Sequence, residues 1–333
     1  LECACNNGHL ETVEVFLSFI DEIDTVHRAL AWAAERGRWK VVARILQVPG
    51  VDVNNTLEGN TPLFHACSWP QDLKTIRVLL EAGAAPNVKC KGTGADYTES
   101  VSASETLNVP TPKFNCLHNI CRWATTLDDY TAQGDPEILS TLFSLLVEAG
   151  IDVHQLTATG KTLLHRTAKS DLMTRLLLDA GVDANIADND GCTPLHVVEN
   201  PDVMRLLIEN GHASIEARTR SGQTPILYML DRSHNSSIFY EFGDAGKNTP
   251  TLDQLLEYNP DCKAVDHKGN GVLHLALQQR RFNRDRIRAL LAAGADPNLK
   301  NQEGLAPLAY LDDFKSGVSE LFDLLIDAGA DID

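Results

Sequence analysis

Nothing in this chain approaches the about 20 consecutive apolar residues that a membrane-spanning helix needs. Its best apolar runs, such as 142–147, are a handful long, so a water-soluble chain without membrane insertion is expected. Positive charge is scarce as well: 29 Lys and Arg stand against 46 Asp and Glu, giving a net charge of -17 with no acidic tail to account for it. A surface of that sign repels phosphate backbones and anionic leaflets, which makes nucleic acid and membrane surfaces poor partners. The eight cysteines (Cys3, Cys5, Cys67, Cys90, Cys116, Cys121, Cys192 and Cys262) include no CxxC pair. A chain this long needs no covalent staples. Its thiols are expected to be free and mostly buried in a reducing compartment, intracellular and either cytoplasmic or nuclear. A starting Met and a charged-then-apolar leader are both missing, which reads as a piece of a longer protein.

Catalytic signatures are lacking too. There is no HExxH helix, G-x-S-x-G elbow, Walker A loop or complete GxGxxG; Gly92 and Gly94 sit in a polar stretch rather than after a strand. Cys116, His118 and Cys121 superficially suggest a metal site, but those offsets scatter around a helix barrel. No enzymatic activity, cofactor or metal is expected.

What the chain does have is a period. Gly191-Cys192-Thr193-Pro194-Leu195-His196 is matched by segments around Thr61-Pro62, Thr162 to His165 and Thr224-Pro225. Weaker matches surround Arg28, Asn115 to His118, Gly271 to His274 and Ala306-Pro307. Each is followed by an apolar second segment and an ending such as Glu81-Ala82-Gly83-Ala84 or Asp327-Ala328-Gly329-Ala330-Asp331. Thr193 can cap a helix while Pro194 takes its first position, where a missing N–H costs nothing. A short Ala-rich helix is expected at 30–35. A second helix is expected around Ile76, Val78, Leu79 and Leu80, ended by Gly83 in the left-handed conformation. Such a helix pair cannot bury its apolar faces alone, so neighbours must stack.

On these residues the sequence resembles the ankyrin-repeat family, whose unit of about 33 residues carries a T-P-L-H-x-A signature. The resemblance covers essentially the whole chain. It implies an all-α solenoid of stacked helix-turn-helix units joined by β-hairpin-like loops, in one domain with units at 1–24, 25–57, 58–90, 112–157, 158–189, 190–220, 221–267, 268–301 and 302–333. It also implies that the imidazoles of His118, His165, His196 and His274 tie neighbouring loops by hydrogen bonds. Phe64 takes that place in the third unit, which leaves His65 displaced by one and more exposed.

Spacings between successive signature positions, counted from Arg28, are 33, 54, 47, 31, 31, 47 and 35 residues. Insertions at 91–113, 125–134 and 231–249 account for the long ones, and in a solenoid such insertions map to loops that often carry function. The first is rich in Ser and Thr among acids, expected to be either a disordered surface excursion or a flap over the concave face controlled by phosphorylation. The other two carry Tyr130, after Trp123, and Phe239, Tyr240 and Phe242. They flank the fifth and sixth units, each two residues short at its turn, and would wall a notch for a peptide or a partner's loop. The alternative is that these aromatics only pin their insertions. Arg280, Arg281, Arg284, Arg286 and Arg288 form a basic cluster, read as a solvated face or as a clamp for an acidic or phosphorylated segment.

The resemblance thus implies a monomeric scaffold that binds a protein partner through its hairpin tips (56–60, 157–160, 188–191, 219–222, 267–269 and 301–304) and first helices. The competing reading is a regulatory or targeting arm of a larger enzyme, channel or signalling protein.

Overall fold

The computed structural model describes residues 1–68, 72–90, 115–126, 136–231, 250–278, 284–311 and 318–331, with the backbone alone at 122–126, 250 and 318–319. The described chain is helical, with no strand and one isolated bridge between Leu57 and Asn60 among the described residues. It divides into two compact units, Leu1–Val182 and Asp183–Asp333.

In the first unit the helices come in pairs: α1 (Glu2–Asn7) with α2 (Leu10–Leu17), α3 (Ile23–Glu35) with α4 (Trp39–Ile45), α5 (Pro62–Ser68) with α6 (Leu73–Glu81), α7 (Cys116–Thr126) with α8 (Pro136–Glu148), and α9 (Leu163–Arg166) with α10 (Asp171–Asp179). First helices pack in one row, α1 on α3, α5, α7 and α9 in succession, and second helices in another, α2 on α4, α6, α8 and α10. The second unit repeats the plan with α11 (Pro194–Val197) and α12 (Pro201–Glu209), α13 (Pro225–Asp231) and α14 (Pro250–Glu257), α15 (Val272–Leu277) and α16 (Arg284–Ala292), then a 3-10 turn (Pro307–Tyr310) and α17 (Val318–Asp327).

α6 illustrates how sequence sets a pair member. The Asp72 carboxylate accepts from the Lys74 N–H at 3.0 Å and so caps the helix. Ile76 and Leu79, one turn apart, are fully buried, whereas Val78 and Leu80 are half-buried beside them. Termination comes at Gly83, whose φ of 89° lets the Ala84 N–H turn back to the Leu79 carbonyl at 3.0 Å.

Two expected boundaries need correction. The helix anticipated at 30–35 starts at Ile23, because no Gly or Pro interrupts 23–35 and Glu22, in extended backbone, already serves as its N-cap. The last first helix shrinks to the 3-10 turn Pro307–Tyr310, where Ala306 replaces the capping threonine and offers no side-chain acceptor. The short turns of the fifth and sixth repeating segments are closed by polar side chains. Thr174 Oγ1 donates among the Ser170 carbonyl at 2.8 Å and Thr167 Oγ1 at 3.0 Å, while Asn200 Oδ1 caps α12 through the Asp202 N–H at 2.8 Å.

Candidate functional site

Two of the four signature histidines, His196 and His274, bond to the next repeat, while the hydrogen bonds described for His118 and His165 stay within their own segments. In α11 the Thr193 backbone N–H donates to His196 Nδ1 at 3.0 Å, and the Thr193 hydroxyl lies 2.9 Å from the same nitrogen. An accepting Nδ1 leaves the imidazole proton on Nε2, which reaches the Gln223 carbonyl of the next repeat at 3.2 Å. His274 works alike, Nδ1 accepting from Gly271 N–H at 3.1 Å and Nε2 facing the Leu305 carbonyl at 3.0 Å. His165 Nδ1 receives the Thr162 N–H at 3.0 Å, and His118 Nδ1 lies 2.8 Å from Asn115 Oδ1. All four rings are buried. Burial pushes His118 down to about 3, helped by the Arg166 charge, and lowers His274 as well. Where Phe64 displaces the histidine, the Thr61 hydroxyl turns to cap α5, accepting from Phe64 N–H at 3.2 Å, and His65 is only half-buried. Pro62, Pro194 and Pro225 open their helices, and Thr224 Oγ1, beside the last, is buried with no hydrogen-bond partner among the described residues.

A second set of joints escaped the sequence reading. Asn54 Oδ1 accepts from Ala85 N–H at 2.7 Å and its Nδ2 donates to the Gly83 carbonyl at 3.3 Å, so one side chain clips two consecutive connections. Asn87 does the same to Asp152 N–H (2.7 Å) and the Gly150 carbonyl (2.8 Å). Asn185 clips Ser214 and His212, and Asn298 clips Asp331 and Gly329. Glu216 supplies only the acceptor half, to Asp261 N–H at 2.8 Å. The available signal is the recurring Asp-x-Asn at 52–54, 183–185 and 296–298, in which the Asp carboxylate folds the turn by accepting the Asn N–H.

In the second unit the tips themselves are linked. Arg220 N–H donates to the Asp190 carbonyl at 2.8 Å, His267 N–H to Ser221 at 2.9 Å, and Gln302 N–H to Lys268 at 2.9 Å. Asp188 braces its tip by accepting from Asp190 and Cys192 N–H, both at 2.9 Å; Asp266 and Asn301 brace theirs in the same way. Gly191 is required twice over: its φ is 81°, and a Cβ there would meet Arg220 N at 2.7 Å. The side chains of Asn189, Asp190, Arg220, His267, Lys268 and Glu303 are left exposed along this row.

The proposed notch and clamp are only partly on view. Tyr130, Phe239, Tyr240, Phe242, Arg280 and Arg281 lie outside the described residues, as does the insertion at 91–113, and Trp123 is described in backbone alone. Arg284 and Arg288 are described and engaged, Arg284 Nη1 with Glu320 at 2.8 Å and Arg288 Nη1 with Asp285 at 3.1 Å. Arg286 is half-buried, its guanidinium lowered by burial and opposed by the Asp253 carboxylate. An anionic ligand at Arg284, Arg286 or Arg288 would compete with those carboxylates.

All eight cysteines are free, and all but Cys3 are buried. Burial raises Cys121 to about 12 and Cys90 to about 11, far from the reactive thiolate range. Cys116 shares a hydrogen bond with Cys67, and no group of three or more His, Cys, Asp or Glu among the described residues is arranged to hold a metal. Nor is any helix among the described residues long and apolar enough to cross a membrane.

The family model for ankyrin repeats matches this sequence in three copies, over residues 1–90 and 130–219, just over half of its length. A search for individual relatives among curated proteins finds no match.

Proposed function

Because the chain belongs to the ankyrin-repeat family, whose members bind other proteins and are as a rule not enzymes, we propose that its linked tips and first-helix row form the surface that holds a protein partner. The observation that carries this reading is the row of tips in the second unit. Single backbone hydrogen bonds join consecutive tips, so exposed side chains from Asn189 to Glu303 are held at fixed spacing before any partner arrives. A partner then meets a pre-ordered surface and loses little affinity to ordering it. The nine helix-paired segments are read as nine repeats serving this one purpose.

The test is capture from native extract on the immobilised chain and on an Arg220→Glu, Lys268→Glu variant, with quantitative mass spectrometry. Both side chains are exposed, so the variant should melt as the parent does. Proteins retained by the parent should be depleted on the variant. An empty parent column, or identical sets on the two columns, would overturn the reading.

A further inference from the structure

Residues 36–44 carry Arg36, Arg38, Lys40 and Arg44 and no acid, in a chain whose net charge is -17. They form the turn after α3 and most of α4, against which α6 packs with Lys74 and Arg77 exposed. Trp39 stands half-buried between the two helices, with the Nζ atoms of Lys40 and Lys74 each 5.7 Å from its ring centroid. The ring quadrupole holds an ammonium without consuming its N–H donors on a carboxylate. Both lysines are exposed, and neither forms an ion pair among the described residues.

The acids around them are largely committed elsewhere. Asp72 is turned into the cap of α6, accepting from Lys74 N–H at 3.0 Å and the Thr75 hydroxyl at 3.4 Å. Glu14 holds Arg44 at 3.2 Å. Glu35, at the end of α3, remains exposed beside the turn. Arg38 is fixed by its Nε donating to the Asn6 carbonyl at 2.8 Å, which keeps the guanidinium at the surface.

We propose that this surface, on the turn edge of α4 and α6, docks an acidic segment of a protein partner. The inference rests on the reading of the chain as a protein-binding scaffold and gives chemistry to one part of that partner. Trp39 supplies an apolar anchor of a type that dominates interface energetics, and the lysines and arginines grouped about it supply the charge. The net charge of the chain is -17, and its other basic cluster has Arg284 and Arg288 paired with Glu320 and Asp285, so unpaired positive charge beside Trp39 favours the approach of an acidic segment here. A nucleic-acid strand needs cations continued along its backbone, and the acidic remainder of the chain opposes that.

Fluorescence anisotropy at low salt, with the full chain and a labelled peptide of alternating Glu and Ser, tests the proposal. The Gln-for-Glu peptide and a labelled oligothymidylate serve as comparison probes. Binding of the Glu peptide is expected to weaken about tenfold or more in Lys40→Glu, Lys74→Glu, less in Trp39→Phe, and not at all in Lys300→Glu on the second unit. Melting curves check that each variant is folded. Equal binding by the double variant, equal binding of the Gln peptide, or tighter binding of the oligothymidylate would overturn the proposal. If the parent fails to bind the peptide while its tip-dependent partner capture persists, the acidic surface falls and the scaffold reading stands.

Discussion

The units Leu1–Val182 and Asp183–Asp333 stack the same kind of helix pair but join successive pairs differently. In the second, each described tip is bonded to the next through backbone, and His196 and His274 add a second link at the helix start. In the first, the described tips close on themselves, Leu57 with Asn60 and Thr157 with Lys161. Its joints between repeats are side-chain ones: Arg38 to Asn6, the Asn54 and Asn87 clips, and Asn119 Nδ2 to the Phe64 carbonyl at 3.3 Å. Register in a solenoid can therefore be kept by asparagines at the start of each connection where no backbone bond joins the tips. A unit that has both devices keeps a surface rigid as well as aligned.

Acid should separate the two units most. His118, of the first, is buried against Asn115 and the Arg166 charge and held near 3, well below its ordinary 6.5. His274, of the second, is also lowered, but the Leu305 carbonyl and the Asp266 carboxylate oppose the shift. Between these values the unfolded chain binds a proton that the folded chain refuses. Stability is thus full above about pH 6.5 and falls as the pH drops toward 3, by on the order of 3 kcal/mol at about pH 4 for His118 alone. All four tryptophans (Trp32, Trp39, Trp69 and Trp123) belong to the first unit, so their fluorescence reports it selectively. On acidification the fluorescence transition should precede the loss of far-UV circular dichroism; coincident transitions would erase this distinction.

A glycine pair, Gly83 at the end of α6 and Gly191 in a tip, sharpens the comparison. Gly83 and Gly191 both have positive φ, yet a Cβ finds nothing within 4 Å at Gly83 and meets backbone at 2.7 Å at Gly191. Gly83→Ala carries the left-handed penalty alone, about 1 kcal/mol. Gly191→Ala must also push the next tip away and should cost about 2–3 kcal/mol. Urea unfolding measures both. Equal losses would mean that the close approach of the tips carries no stability.

Much of this architecture could be read from residues, and the limit lies where partners are distant in sequence. Thr193-Pro194 and the Ala-Gly-Ala-Asp endings announce helix starts and stops because caps and left-handed glycines act within a few residues. Ala306 illustrates the converse: its segment keeps the proline but not the capping side chain, and only a 3-10 turn forms. The Asn87 clip was not legible even by the Asp-x-Asn pattern of the other three, since Asn87 meets residues 63 and 65 positions away and its local pattern, Pro86-Asn87, resembles any polar loop. The arginine cluster was visible as charge, whereas its pairing with Glu320 and Asp285 depends on how α16 meets α17 and on side-chain geometry.

The asparagine clips offer the smallest and most local comparison. Asn87→Ala removes two charge-neutral hydrogen bonds, leaving Asp152 N–H and the Gly150 carbonyl to solvent in an exposed loop, so each bond is worth near the low end of its range. A loss of about 1–2 kcal/mol follows, softened because Asn115 Nδ2 still holds the Asp152 carbonyl at 3.1 Å. Asn185→Ala removes the equivalent pair in the second unit, but there the Arg220 to Asp190 bond between consecutive tips remains beside it. The first substitution should therefore lower the urea midpoint of tryptophan fluorescence by more than the second lowers that of circular dichroism. It should also reduce the slope of the fluorescence transition, because the α5–α6 and α7–α8 pairs would begin to unfold apart. Matching effects would show that the clips contribute alike with or without a linked tip, and that the insertion at 91–113 places no special demand on Asn87.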